Sequence, residues 1–329
     1  MKNLILLLFP LLVVCQSDKK LYENESIYTV FYNVENLFDT IKSLDTNDNE
    51  FLPQSKKKWN TEKYYYKLNQ LEKVFRSISE DNNNILPDVI GLSEVENQSV
   101  IEDLLKTDLF LNHKYTILHR DSPDDRGIDC ALLFNNKFKI LENDFIFVDN
   151  PESNRSTRDI VYAKLASKSG KVINFFVNHW PSRWGGQKET NHKRVFVAQL
   201  LREYIEVHTS KNEHNIIIGD FNDYPSNESL SDFLVKDDFI NLMSTNIVSG
   251  RGSYNYRGNW NWLDQVIISK DLFDSSISSI TVGAFENDFM MYTNEKGEVF
   301  PSRSFGGNNW YGGFSDHLPV YCKISFQSK

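Results

Sequence analysis

Ile216-Ile217-Ile218-Gly219-Asp220-Phe221-Asn222-Asp223 decides how this chain is read. Three β-branched residues in a row read as a buried strand, because a branched Cβ fits the covered, pleated surface of a sheet. The strand runs into a glycine, then into two acids and an amide. An ending of Gly-Asp-x-Asn presents carboxylate and amide oxygens at a sheet edge, where a hard cation or a phosphate can be met. Asp and Asn also favour plain turns, so the segment alone leaves both possibilities open.

Four more segments share its form. Tyr28 to Tyr32 runs into Asn33-Val34-Glu35-Asn36, and Val89 to Leu92 into Ser93-Glu94-Val95-Glu96. Val172 to Val177 runs into Asn178-His179-Trp180-Pro181-Ser182-Arg183, and Ser315-Asp316-His317 precedes a last strand at Leu318 to Ile324. Five such ends look like one mouth lined by strand termini. Its carboxylates and amides, with no Cys–His cluster, suit a hard cation: Mg²⁺, with Mn²⁺ or Ca²⁺ as alternatives. Its histidines suit proton transfer near neutral pH. Gly-x-Ser-x-Gly and Walker patterns are missing. Metal with acid–base groups points to hydrolysis of a phosphoester.

Composition agrees with a folded enzyme. The 329 residues are 40% hydrophobic and 25% charged, enough for a large core. A net charge of −9 argues against passive binding to nucleic acid, which needs a basic surface, but not against an enzyme whose metal supplies local positive charge. Met1-Lys2-Asn3 followed by Leu4 to Val14 has the form of an export signal, too short to span a bilayer. Leu12-Val13-Val14-Cys15 resembles a bacterial lipobox. The expectation is a leader at 1–14, a lipid-anchored Cys15 at an outer membrane or cell surface, and a linker to residue 26. Plain export to the periplasm or medium is the alternative. Cys130 and Cys322 fall in apolar runs and read as small buried residues. A single domain over 27–326 is expected, as a monomer. Helices are expected at Glu62 to Ile78 and Glu189 to Val207, and long loops at Lys42 to Asn60 and Asn287 to Ser315.

Five motifs carry a resemblance to the endonuclease/exonuclease/phosphatase superfamily, which includes deoxyribonuclease I, exonuclease III, neutral sphingomyelinases and inositol polyphosphate 5-phosphatases. They are Phe31-Tyr32-Asn33-Val34, Leu92-Ser93-Glu94-Val95, Gly219-Asp220-Phe221-Asn222, Leu263-Asp264-Gln265-Val266 and Ser315-Asp316-His317-Leu318-Pro319-Val320, in family order. The resemblance implies an α/β fold, a four-layer sandwich of two packed mixed sheets flanked by helices. It implies that Glu94, Asn33 and Asp316 hold the metal, although Ser93 stands where Gln is common. It implies that Asp220 or His317 activates water, that Asn222 holds a phosphoryl oxygen, that His179 aids the leaving group or contacts phosphate, and that Asp264 partners a histidine. Glu96 is the lesser choice for the metal.

Arg126, Arg158 and Arg183 are candidate phosphate contacts, since a guanidinium forks onto phosphate. Trp180, Trp184, Trp260 and Trp310 fall in polar or Gly-rich stretches and could stack on bases. Asp124, Asp125 and Asp223 read as solvated loop acids. The function expected is an exported, metal-dependent nuclease with a phosphodiester partner, most simply nucleic acid. The alternatives are a phospholipid or sugar-phosphate phosphoesterase, and a silent surface-binding module.

Overall fold

The computed structural model describes residues 25–153, 155–244, 251–275 and 277–327. The leader and Cys15 lie outside them. Two six-stranded mixed sheets form the centre. The first runs, in spatial order, β13 (Ile277–Ala284), β18 (Val320–Phe326), β1 (Ser26–Leu37), β2 (Val89–Val95), β4 (Asp129–Asn135) and β3 (Tyr115–His119). The second runs β5 (Phe138–Ile146), β6 (Ile160–Ser167), β7 (Val172–His179), β8 (His214–Asp220), β12 (Asp264–Ser269) and β9 (Phe239–Asn241). Among the described residues only β1–β2 and β7–β8 pair in parallel.

Layering explains the unbroken apolar runs. Ile216 and Ile218 point into the core between the sheets, while Ile217 points outward to the layer of α3 (Asn191–His208). Phe175 and Val177 of β7 face inward and Phe176 outward in the same way. In β1, Phe31 joins the inter-sheet core, whereas Val30 and Tyr32 pack with α1 (Thr61–Asp81) and α2 (Gln98–Leu105). A central strand covered on both faces has no polar side to alternate with. Cys130 and Cys322 are free and buried in the inter-sheet core, as expected.

The two expected helices are present with shifted ends. The Asn60 side chain accepts the Lys63 amide at 3.0 Å, starting α1 one residue early. The α2 helix was not legible: eight residues give too few turns for a periodic signal, although Asn97 caps it by accepting the Val100 amide. Edge strand β5 pairs only with β6 and carries Lys139, Glu142, Asn143 and Asp144, so it lacks a strand signature.

The expected loop at Asn287 to Ser315 is a correction. It folds into hairpins β14–β15 (Met291–Thr293, Val299–Pro301) and β16–β17 (Phe305–Gly306, Asn309–Trp310). A further hairpin, β10–β11 (Tyr254–Tyr256, Asn259–Asn261), lies near them. An aromatic cluster fixes this region: Phe305 and Trp310 lie 4.9 Å apart, and Trp59 of the earlier loop is 5.7 Å from Trp310. Among the described residues no helix is long and apolar enough to cross a membrane.

Gly219 lets β8 approach β7. A Cβ there would sit 2.3 Å from the Asn178 carbonyl oxygen, well inside van der Waals contact. Gly219→Ala is therefore expected to destabilise the protein by about 2–4 kcal/mol, since rigid backbone must move. A urea melt checks this through the midpoint.

Candidate active site

The two parallel pairs bring their strand ends to one place. Asn33 of β1 donates its Nδ2 to Asp220 Oδ2 at the end of β8 (3.1 Å) and approaches Glu94 Oε1 of β2 at 3.5 Å. One amide thus ties carboxylates from the two sheets. Asn33 is oriented in turn, since its Oδ1 accepts the Glu35 amide at 3.1 Å.

Glu94 sits at a bulge. The register of β2 shifts between Ser93 and Val95 against both neighbours, and Glu94 has φ +63°. A β-bulge re-aims a side chain, and a left-handed glutamate stores strain of about 1–2 kcal/mol. The Asn36 amide donates to Glu94 Oε2 at 3.0 Å, leaving Oε1 turned toward Asn33 and His179. Asn222 is also left-handed, at φ +50°. Its amide donates to Asp220 Oδ1 (2.9 Å) and its Nδ2 donates to the Trp180 carbonyl (3.0 Å).

The two histidines differ electrostatically. His317 Nδ1 lies 2.6 Å from Asp264 Oδ2, and its Nε2 is 3.8 Å from Asp220. Burial alone would lower its pKa, but the carboxylates of Asp264 and Asp220 outweigh burial and hold it well above the ordinary histidine range. His179 Nε2 lies 3.6 Å from Asp220 and 3.9 Å from Glu94. Burial, then the charges of Arg158, Arg126 and His317, push it well below the ordinary range. Asp220 is raised to about 6, mainly by burial, with His317 opposing and Asp264 reinforcing. The centre therefore holds an imidazolium, a neutral imidazole and a carboxylate poised near neutrality.

Sequence reasoning missed the outer wall. Arg303 bridges Glu35 Oε1 (3.4 Å) and Asp316 Oδ2 (2.7 Å). The Glu35 carboxylate also accepts the Ser304 amide, and fully buried Lys67 donates to Ser304 Oγ at 2.7 Å. Asp316, expected at the metal, is thus turned to Arg303. Tyr254 packs its ring 4.7 Å from that of His317. Ser315 Oγ donates to the Asn33 carbonyl and accepts the His317 amide, joining two motifs. Ser315 had a signal in its place in Ser-Asp-His; Glu35 of β1, Lys67 of α1, Tyr254 of β10 and Arg303 of the loop after β15 are brought together only by the tertiary fold.

Several expectations need correction. Asp223 is fully buried rather than solvated, 2.7 Å from the Arg194 guanidinium of α3 and 2.9 Å from Arg183. Asp124 is buried and accepts from Arg158 at 3.1 Å; Asp125 is exposed, as expected. Arg183 is committed to the Asn222 carbonyl, Asp223 and Asn227, so it braces the turn after β8. Trp180 is 1% exposed, packed on Phe221 at 4.8 Å, and has no free face for a base. Trp310 is held in the aromatic cluster, whereas Trp184 is 80% exposed. Arg158 and Arg126 lie within electrostatic reach of His179. His119, Asp121 and Asp129 form a second His–acid group that the sequence did not single out.

The donor set fits a divalent cation. Part-buried Glu94 and buried Asp220 both approach Asn33 Nδ2 and His179 Nε2, and the buried Asp264 Oδ1 has no hydrogen-bond partner among the described residues. Asp220, Asp264 and His317 also place ligand atoms within 4.8 Å of one another. His317 Nδ1 is already engaged by Asp264, so that trio fits a polarised His–Asp pair better than a coordination set. Glu94 Oε1 is where an oxygen ligand remains open; Asn33 presents its Nδ2 on this side and would contribute Oδ1 after an amide flip that gives up the Glu35 amide.

A sequence profile of the endonuclease/exonuclease/phosphatase family matches residues 28–326. No curated protein matches the chain. Among solved structures, the fold is similar to a family protein from Bacteroides thetaiotaomicron at 18% identity, covering 93% of this chain and 100% of that one, with TM-score 0.59. It is similar to a mannosyl-6-phosphatase of the same organism at 18% identity, covering 92% and 100%, with TM-score 0.56. It is also similar to D. rerio TDP2 in complex with a single-strand DNA product, at 14% identity, covering 92% and 100%, with TM-score 0.58. These likenesses show the fold.

Proposed function

The chain belongs to the endonuclease/exonuclease/phosphatase family, and from that membership we propose that it is a metal-dependent phosphodiester hydrolase acting on nucleic acid. The observation that carries this is the meeting of Asn33, Glu94, His179, Asp220, Asp264 and His317 in one buried, hydrogen-bonded centre. Asp220, held by Asn33 and the Asn222 amide, takes a proton from the attacking water. His317, kept protonated by Asp264, donates to a phosphoryl oxygen through Nε2. Neutral His179, whose Nε2 lies 3.6 Å from Asp220, offers a ring nitrogen without adding charge, and the leaving oxygen takes up a proton from solvent as its bond to phosphorus breaks. Glu94 and Asn33 would hold the cation, Mg²⁺ in this proposal, and a cation bound there would offset phosphoryl charge. Arg158 and Arg126 supply fixed positive charge nearby.

A pH profile follows. Activity falls as pH drops through about 6, because Asp220 becomes protonated. It falls again as pH rises past the elevated pKa of His317. Asp264→Asn removes a carboxylate that raises His317, so the alkaline limb is expected to move to lower pH. Profiles of kcat/KM for the two proteins check this.

The deciding experiment offers purified protein plasmid DNA, RNA, sphingomyelin, inositol phosphates and mannose 6-phosphate, with and without chelator. Chelator-sensitive cleavage of nucleic acid is expected. Intact nucleic acid with release of phosphate from a sugar phosphate or of phosphocholine from sphingomyelin would transfer the proposal to the second reading, favoured by the mannosyl-6-phosphatase likeness. The proposal includes export and lipid anchoring at Cys15, supported by the leader sequence. Labelling with a radioactive fatty acid is expected to mark the wild type and not Cys15→Ala.

A further inference from the structure

Beside the catalytic centre lies a cavity of about 360 Å³, walled by Asn150, Ser153 and residues 155–158, by the turn after β7 and by the start of α3. In a chain of net charge −9, Arg126, Arg155, Arg158 and Lys193 converge on it. Asp124 and Asp125 are its acids, and Asp124 is taken up by Arg158 at 3.1 Å and neighboured by Arg126 at 3.6 Å.

Two observations mark it as built for a ligand. Thr157 and Arg158 are 8% and 6% exposed, yet Thr157 Oγ1 and Arg158 Nε have no hydrogen-bond partner, and both residues line the cavity. Buried donors left unpaired cost about 1–3 kcal/mol each; both atoms are closed to solvent as the side chains stand, so an anion in the cavity would meet them after a small shift of the two side chains. Trp184 also lines the cavity while 80% exposed, its ring 5.8 Å from the Arg155 guanidinium. An indole that buries so little contributes almost nothing to the fold, and it offers a stacking face next to cationic groups.

Arg158 joins this cavity to the centre. Its Nη2 donates to the Trp180 carbonyl at 2.6 Å, the same oxygen that accepts Asn222 Nδ2. One residue away is His179. A group bound against Arg158 is therefore next in line to a phosphate held beside His179.

We propose that this cavity is a second subsite, taking the neighbouring phosphate of a nucleotidyl substrate on Arg158, Thr157 and Lys193, with its base on Trp184. The identity of the reacting group rests on the phosphodiester proposal; the subsite itself rests on the cavity. The ligand chemistry is a nucleoside flanked by two phosphates, found in a single strand or in a free nucleoside bisphosphate.

The test measures binding and turnover separately. A fluorescein-labelled hexanucleotide is titrated by anisotropy in chelator, and adenosine 3′,5′-bisphosphate by calorimetry, against wild type, Trp184→Ala and Lys193→Ala. Trp184→Ala is expected to weaken hexanucleotide binding about tenfold, the scale of one lost stack. Lys193→Ala is expected to weaken it and to reduce the slope of log K against log salt by about 0.7. Hydrolysis of bis(p-nitrophenyl) phosphate, with no second phosphate, should stay within about twofold in both variants. Dependence on Trp184 and Lys193 seen with the bisphosphate and not the hexanucleotide assigns the subsite to free nucleotides. Unchanged binding of both ligands in both variants overturns the subsite. Trp184-dependent binding without turnover of any diester leaves the subsite standing and overturns the phosphodiesterase proposal.

Discussion

Asp220→Asn is expected to lower kcat on a phosphodiester by about 10³–10⁴-fold while KM stays within a few-fold. The substitution keeps volume and planarity and removes only the basic oxygen. Wild-type Asp220 accepts two hydrogen bonds, from Asn33 Nδ2 on Oδ2 and from the Asn222 amide on Oδ1. The replacement amide accepts only one of them. If its oxygen takes the Asn222 amide, its NH₂ meets the NH₂ of Asn33. Asn33 can flip, but then gives up the Glu35 amide that its Oδ1 accepts. The cost is one hydrogen bond, about 1 kcal/mol, which a thermal melt separates from the kinetic loss. A stability drop of that size beside a thousandfold loss of kcat identifies Asp220 as the base. A loss of ten-fold or less would pass that role to another group, and the acid limb near 6 would then survive in the variant.

How much of this was visible in the chain depends on the range of the contact that fixes each residue. Ile216-Ile217-Ile218 read correctly because a strand between two sheets and a helix layer imprints its burial on consecutive residues. Gly219, Asp220 and Asn222 lie together in sequence because one strand end positions them. Asp223 was misread although it is next in line. Its partners, Arg194 and Arg183, come from α3 and from the turn after β7, and polarity without a visible partner looks like exposure. Trp180 failed for the same reason: Pro181 and Ser182 gave it loop surroundings, while Phe221 and the Asn178 side chain bury it. Arg303, Glu35 and Lys67 carry no local pattern at all. Their network closes only when the hairpins at 291–310 fold against α1.

Glu94→Gln is expected to abolish the response to divalent cation, with kcat down by about 10³-fold or more at a fixed Mg²⁺ concentration. Glutamine still accepts the Asn36 amide through its carbonyl oxygen and leaves the backbone as it is. The group facing Asn33 and His179 then becomes an NH₂, so both the charge and the oxygen ligand are lost there, and the weak 3.5 Å contact from Asn33 Nδ2 goes with them. Wild-type protein should melt at a higher temperature as Mg²⁺ is added, because a ligand that binds only the folded state stabilises it; the variant should show no such rise. Glu94→Gly separates site from scaffold. Position 94 is left-handed at φ +63°, which glycine adopts without penalty. Removing the side chain there should stabilise the fold by about 1 kcal/mol while activity disappears. A glycine variant that is both inactive and more stable than wild type would show that the bulge in β2 is strained to aim one carboxylate. A less stable glycine variant would mean that the bonds made by Glu94 to Asn36 and Asn33 hold the strand end together, and that the left-handed turn is a consequence of those bonds.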